Sequence, residues 1–284
     1  AQESRGLGDV YKRQRRPRAL NPLSHLLGVI ALSSLCFVLI QGNAYGWSST
    51  PILAAVALCA ATTVLLVRRE RRHAEPIIPR ALFQTSQFAA ANGVGFLINL
   101  ASYGQLFLLS LFLQHARGAD ALQTGIQLVP MLAVFSIGNL ISGRVSARWN
   151  VSASLLGGIS LATLMSAVGL AAFSPDIAYW PFAIVVALAN LGVGIAVPAM
   201  TSVVMQVSGK HHANSAAAAL NANRQSGALV GVALMGTVLH LLPDWHASLP
   251  AAYSIIAVAY LVAAMLVWTP VSYTHLTLPT SELV

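Results

Sequence analysis

Carboxylates are scarce in this 284-residue chain. Asp and Glu together number 8, against 16 Lys and Arg. None of those acids falls inside a long apolar run. Charged residues of both signs make up 8% of the chain, where a soluble domain carries about 25%. Cysteine is nearly absent. Cys36 and Cys59 both sit in apolar stretches, where a buried thiol is the default, so they imply no disulfide and no redox compartment. No Ser, His and Asp stand where a nucleophile needs them, and no Walker-type phosphate loop occurs. His211 and His212 adjoin in a polar stretch beside Lys210 with no third ligand, which reads as solvated rather than as a metal site. These absences argue against an enzyme, a metal centre and a resident cofactor. The net charge of +8 does not mark a nucleic-acid binder either, because the arginines sit at the ends of apolar runs and form no basic patch interleaved with aromatics.

What remains is apolar: 56% of residues are hydrophobic. About 20 residues rising about 1.5 Å each cross a bilayer. Eight candidate segments of this kind lie at about 23–41, 51–67, 88–113, 122–143, 151–173, 181–206, 214–240 and 251–268, each bounded by polar, Pro or Gly residues. The expected fold is an all-α polytopic membrane protein with eight transmembrane helices. Placing the N-terminal side of the first span inside puts Arg15, Arg16, Arg18, Arg68, Arg69, Arg71, Arg72, Arg80, Arg144, Arg148 and Lys210 inside, and only Arg117 outside. Asp120, Asp176 and Asp244 all fall outside. This asymmetry predicts Arg-rich loops on the cytoplasmic face of a cell membrane.

Both ends read as foreign. Residues 4–14 (SRGLGDVYKRQ) and 271–280 (VSYTHLTLPT) fit the codons of a transposase-based sequencing adapter read in opposite directions. Residues 1–14 and 271–284 are therefore set aside, and the rest is expected to be a fragment of a longer gene. Within it, 15–67 holds two spans, 68–87 is a basic connection, and 88–270 forms a block of six spans. The run RRERRHAEPIIPR at 68–80 either grips anionic headgroups or only marks topology.

Polar residues recur along single helical lines. The third span carries Asn92, Asn99, Tyr103 and Ser110; the sixth carries Asn190, Gly194 and Thr201; the seventh carries Asn214, Asn221 and Gln225. Such stripes either line a hydrated cavity or bond neighbouring helices in a dry bundle. Arg224 is the only charged residue expected inside a span. A mid-bilayer arginine costs about 2.5–3.5 kcal/mol, so it faces protein or water, or snorkels to the headgroups. The expected substrate pathway is Asn92, Asn99, Tyr103, Asn190, Thr201, Asn221, Arg224 and Gln225. Gly227 and Gly231 form a GxxxG pair suited to close helix packing, and Gly192 and Gly194 precede a kinking Pro198, as Pro130 kinks the fourth span. The short basic segment GRVSARW, with Gly143, Arg144 and Arg148, joins spans four and five and either latches one conformation or only sets topology.

Taken together, GNAYGWSSTP, RRERRHAEPIIPRALFQTSQFAAAN, NLASYGQLFLLSLFLQHARGADALQTGIQLVP, GRVSARW, NLGVGIAVPAM and NSAAAALNANRQSGALVGVALMGTVL resemble, in order and spacing, the later part of a fourteen-span drug:proton antiporter of the major facilitator superfamily. The resemblance implies that the first two spans are an extra central pair and the next six a C-terminal bundle. It implies alternating access around a midplane site shared with an N-terminal six-helix bundle of the same protein. In GRVSARW, Gly143 and Arg148 match the superfamily's loop motif, Arg144 fills a variable position, and Ala147 stands where an acid is usual. The implied function is export of small hydrophobic or cationic compounds driven by the proton gradient. The coupling carboxylate is then expected outside this sequence. A facilitator for another solute, a channel or a membrane scaffold are the alternatives.

Overall fold

The computed structural model describes residues 22–72, 82 and 85–274. Arg15, Arg16, Arg18 and Arg80, the N-terminal segment 1–14 and residues 275–284 lie outside the described residues. The described chain is helical: α1 (Pro22–Tyr45), α2 (Thr50–Arg72), α3 (Ser86–Leu111), α4 (Ala121–Trp149), α5 (Val151–Ala172), α6 (Tyr179–Gly209), α7 (210–241) and α8 (Trp245–Thr274). The polytopic membrane architecture read from the sequence is the observed one. Among the described residues, seven helices suffice by length and composition to cross a membrane, where eight were expected. The odd one is the expected seventh span. It is present as α7 and packs along α3, but its first turns carry Asn214, Asn221, Asn223, Arg224 and Gln225.

The helix ends follow from local chemistry. Asp120 starts α4 with a reciprocal capping box: its side chain accepts from the Gln123 N–H at 2.8 Å, and the Gln123 side chain accepts from the Asp120 N–H at 3.2 Å. Two connections are shorter than expected. GRVSARW is the end of α4 rather than a loop. The corner is Asn150 alone, in the left-handed region (φ 72°), with its Oδ1 accepting from the Ala153 N–H at 2.7 Å to cap α5. Likewise, the polar stretch around His211 and His212 is helical. The turn from α6 into α7 is a one-residue break at Gly209 (φ 64°, ψ 169°). At both joints the break falls at a residue with positive φ and not at the polar side chains around it.

Six helices, α3 to α8, form one bundle, and its contacts fix their directions. Gly95, Phe96, Leu100 and Gly104 of α3 meet Arg224, Gly227, Gly231 and Met235 of α7 in rising order, so these helices run parallel. Gly138 and Ser142 of α4 meet Leu191 and Ile195 of α6, also in parallel. Gly158 of α5 meets Ala196, and Ala162 meets Gly192, so α5 and α6 are antiparallel. Ser102 and Gln105 of α3 meet Tyr260 and Tyr253 of α8, again antiparallel. Thus α3, α5 and α7 run one way and α4, α6 and α8 the other, the alternation required of consecutive spans. The ends carrying Arg144, Arg148 and Gly209 form one face, called here the basic end. α1 and α2 pair as a hairpin, with the Cys59 thiol donating to the Ala31 carbonyl at 3.4 Å. Their outer surface is rich in exposed leucine, valine and isoleucine, as it is on α4, where Leu140 is 77% exposed. That surface suits hydrocarbon and not water.

Candidate functional site

Glycines bring the bundle helices close enough to enclose polar side chains. A Cβ on Gly227 would collide with the Phe96 carbonyl, one on Gly231 with the Leu100 carbonyl, and one on Gly192 or Gly194 with the carbonyls of Gly158 or Phe135. The GxxxG pair is therefore consumed inside the chain, backbone against backbone on α3. Pro130 and Pro198 sit within α4 and α6.

Where α3, α4 and α6 diverge, they leave a cavity of about 160 Å³, lined by Tyr103, Gln105, Met131, Phe135 and Asn190 among others. Tyr103 is 47% exposed and Asn190 half-buried. Of the eight expected pathway residues, these two line it. Asn92 and Asn99 are buried on the same helix, and each donates to its own helix, to Phe88 O at 3.0 Å and Gly95 O at 2.9 Å. Asn190 and Thr201 do the same toward Val186 O and Val197 O, both at 3.0 Å. Asn221 and Gln225 are exposed on α7, away from this cavity. A second cavity of about 210 Å³ lies nearer the basic end among α3, α5, α6 and α8, with Gln87, Ser152 and Gln206 on its wall. Gly143, Arg144 and Arg148 are exposed on the last turns of α4.

Arg224 occupies a different position from either cavity. Its Cγ lies 3.2 Å from where a Gly95 Cβ would stand, beside Leu220 and the Met200 sulfur, so its stem is wedged among α3, α6 and α7. Its Nε is buried and makes no hydrogen bond.

Several polar residues that hold the site together carry no sequence signature. Asn223 donates across to the Asn92 carbonyl at 2.5 Å, tying α7 to α3. Gln105 donates to the Tyr253 hydroxyl at 3.3 Å, and Ser102 and Tyr260 share a 2.9 Å bond, forming a polar seam between α3 and α8. Tyr253 and Tyr260 are fully buried. Isolated polar residues of this kind have no periodic repeat; only their partners, about 150 residues away, identify them. At the end opposite the basic one, Arg117 stacks on the rings of Phe112 (5.1 Å) and Phe182 (5.7 Å) and donates to the Ile177 carbonyl. Phe112 also meets Trp245 at 5.5 Å, and Phe182 meets Phe173 at 5.0 Å. Burial lowers the Arg117 pKa, opposed by the nearby Asp176 carboxylate.

Comparison with known proteins places this geometry. The chain is 43% identical over 249 residues to the methylenomycin A resistance protein of Bacillus subtilis, covering 88% of this chain and 53% of that protein. It is 39% identical to the methylenomycin A resistance protein of Streptomyces coelicolor (86% and 51% covered) and 27% identical to the multidrug resistance protein Stp of Mycobacterium tuberculosis (79% and 41%). The chain spans about half the length of these curated relatives. The description Major Facilitator Superfamily matches residues 5–232, well over half of the chain. With its helical bundle, its apolar outer surface and this match, the chain belongs to the Major Facilitator Superfamily, a family of membrane transporters and not of enzymes.

Proposed function

We propose that the protein to which this chain belongs exports small, largely apolar compounds across the cell membrane by alternating access, driven by proton antiport. The described bundle supplies one wall of the substrate path. The observation that carries this reading is the cavity between α3, α4 and α6, apolar on most sides, with the neutral polar groups of Tyr103, Gln105 and Asn190 at its edge. Apolar walls with a few placed polar groups accept varied small molecules. Relatives named for resistance to methylenomycin A and for tetracenomycin C resistance and export support the direction of transport.

On this reading, α1 and α2 are a central linker pair, α3 to α8 are the C-terminal bundle, and a further six-helix bundle completes the path. The basic end faces the cytoplasm. The coupling acid lies in the other bundle: among the described residues, Glu70, Asp120, Asp176 and Asp244 are the carboxylates, and the three aspartates sit at or just before the starts of α4, α6 and α8. Asn92, Asn99, Thr201, Asn221, Arg224 and Gln225 extend the path toward the basic end. The test is expression of the complete gene in a drug-sensitive host. Raised resistance, together with dye efflux that stops when a protonophore collapses the gradient, is the expected result. Efflux that persists without the gradient defeats proton coupling, and unchanged resistance across a broad drug panel defeats export.

A further inference from the structure

Two amides on the wall of the cavity between α3, α4 and α6 are each anchored at one end. Asn190 lies inside α6, and its Nδ2 donates to the Val186 carbonyl at 3.0 Å. A carbonyl can only accept, so the amide offers its nitrogen to the helix and turns its oxygen away. Gln105 is 3% exposed, and its Nε2 donates to the Tyr253 hydroxyl at 3.3 Å. Tyr253 is fully buried and stands edge-on to Phe173 at 4.8 Å, so this anchor is itself held by packing. Among the described residues, nothing donates to Asn190 Oδ1 or Gln105 Oε1, and neither oxygen is sealed in the interior. Both residues line the cavity, so two acceptor oxygens open onto it.

Around them the wall is apolar, with Leu109, Leu128, Met131 and Phe135. The Tyr103 hydroxyl, half exposed, either donates or accepts and so adapts to what stands before it. The space of about 160 Å³ suits a single ring, since an engineered dry cavity of about 150 Å³ in another protein holds benzene. A ring that fills this space without a donor strips water from both oxygens and leaves them unpaired, whereas one that brings an O–H or N–H satisfies them. We propose that Asn190 and Gln105 set the specificity of this cavity, selecting ring-sized apolar groups that carry a hydroxyl or N–H donor over those that carry only acceptors. This rests on the export reading of the same cavity and narrows it. The resemblance implied hydrophobic or cationic cargo, and the two oxygens divide that set. Alcohols, phenols and N–H compounds meet them, while an ether or a quaternary ammonium ion has no hydrogen to offer.

The test uses the complete transporter in lipid nanodiscs, with empty nanodiscs subtracting partition into lipid. Indole, benzofuran and indene share one shape and differ at one ring position, which is N–H, O or CH2. Wild-type protein is expected to bind indole at least about fivefold tighter than indene, with benzofuran the weakest. N190L and Q105L are each expected to reduce that preference, and the double variant to abolish it, with indene bound as in wild type. The proposal is overturned if wild type binds none of the three or shows no preference for indole. It is overturned if benzofuran binds best, since amide hydrogens then face the cavity, or if the double variant keeps the preference. Loss of indene binding together with indole binding in both single variants also overturns it, because the amides then only hold the fold. The export reading fails separately, through unchanged drug resistance in cells expressing the wild-type gene.

Discussion

Single residues carry more of this bundle's architecture than their chemistry announces. Gly231 faces the Leu100 carbonyl with no room for a methyl group, whereas Gly157 on α5 has open space around it. Substituting Gly231→Val is expected to destabilise the complete transporter by about 1–3 kcal/mol through forced separation of α3 and α7, while Gly157→Ala stays within about 0.5 kcal/mol of wild type. Thermal unfolding in detergent, followed by a thiol-reactive dye, compares them; equal shifts would refute the packing role. Arg117 is the second case. Its rings and carbonyl make it a clasp joining the ends of α3 and α6, and Arg117→Ala is expected to cost about 0.5–2 kcal/mol in lost cation–π contact. The pH dependence follows from the sign of the shift. Burial lowers the folded pKa, so the charged form is disfavoured at every pH below that value, and the penalty is relieved only as pH rises through it. An arginine stays protonated throughout the assayable range. The stability difference between Arg117→Ala and wild type is therefore expected to be the same at pH 6 and pH 8, and a slope between them would implicate another group.

At the scale of elements, the helices themselves were legible in the sequence, because long apolar runs flanked by arginine and tryptophan leave few alternatives. Their joints were not. GRVSARW and the stretch after Gly209 look like loops, being short, polar and basic, yet both are helical. The deciding feature is backbone conformation at one residue, Asn150 or Gly209, and neither carries a strong composition signal. The polar stripes were half legible. Their helical period placed Asn92 and Asn99 inside the bundle, but each satisfies its own helix at i−4. Periodicity therefore located the face without revealing which residues reach the cavity, and Gln105 went unnoticed because it belongs to no stripe. The joints also yield a prediction. Asn150→Gly should be nearly neutral, whereas Asn150→Val and Gly209→Ala should each cost about 1–2 kcal/mol for placing a side chain at positive φ. Comparable melting of the Gly and Val variants at position 150 would show that the corner relaxes to another geometry.

For the whole molecule, the parallel and antiparallel contacts of six helices agree with strict alternation across a membrane, and the match to the Major Facilitator Superfamily rests on the same chain. The expectation for topology is concrete. In a complete transporter lacking its native cysteines, cysteine placed at Ser174, in the connection between α5 and α6, should react with an impermeant maleimide from one side only, and cysteine at Asn150 from the other. Labelling of both from the same side would break the alternation.

The one-residue joints at Asn150 and Gly209 constrain traffic at the basic end. Two helices linked through a single residue meet there like covers at a spine: they can pivot, but their tips cannot part. A molecule arriving from that leaflet finds the clefts α4/α5 and α6/α7 stitched shut at the rim. Lateral entry there is confined to seams whose helices are not joined at that end, and the search for a doorway from the lipid narrows to those.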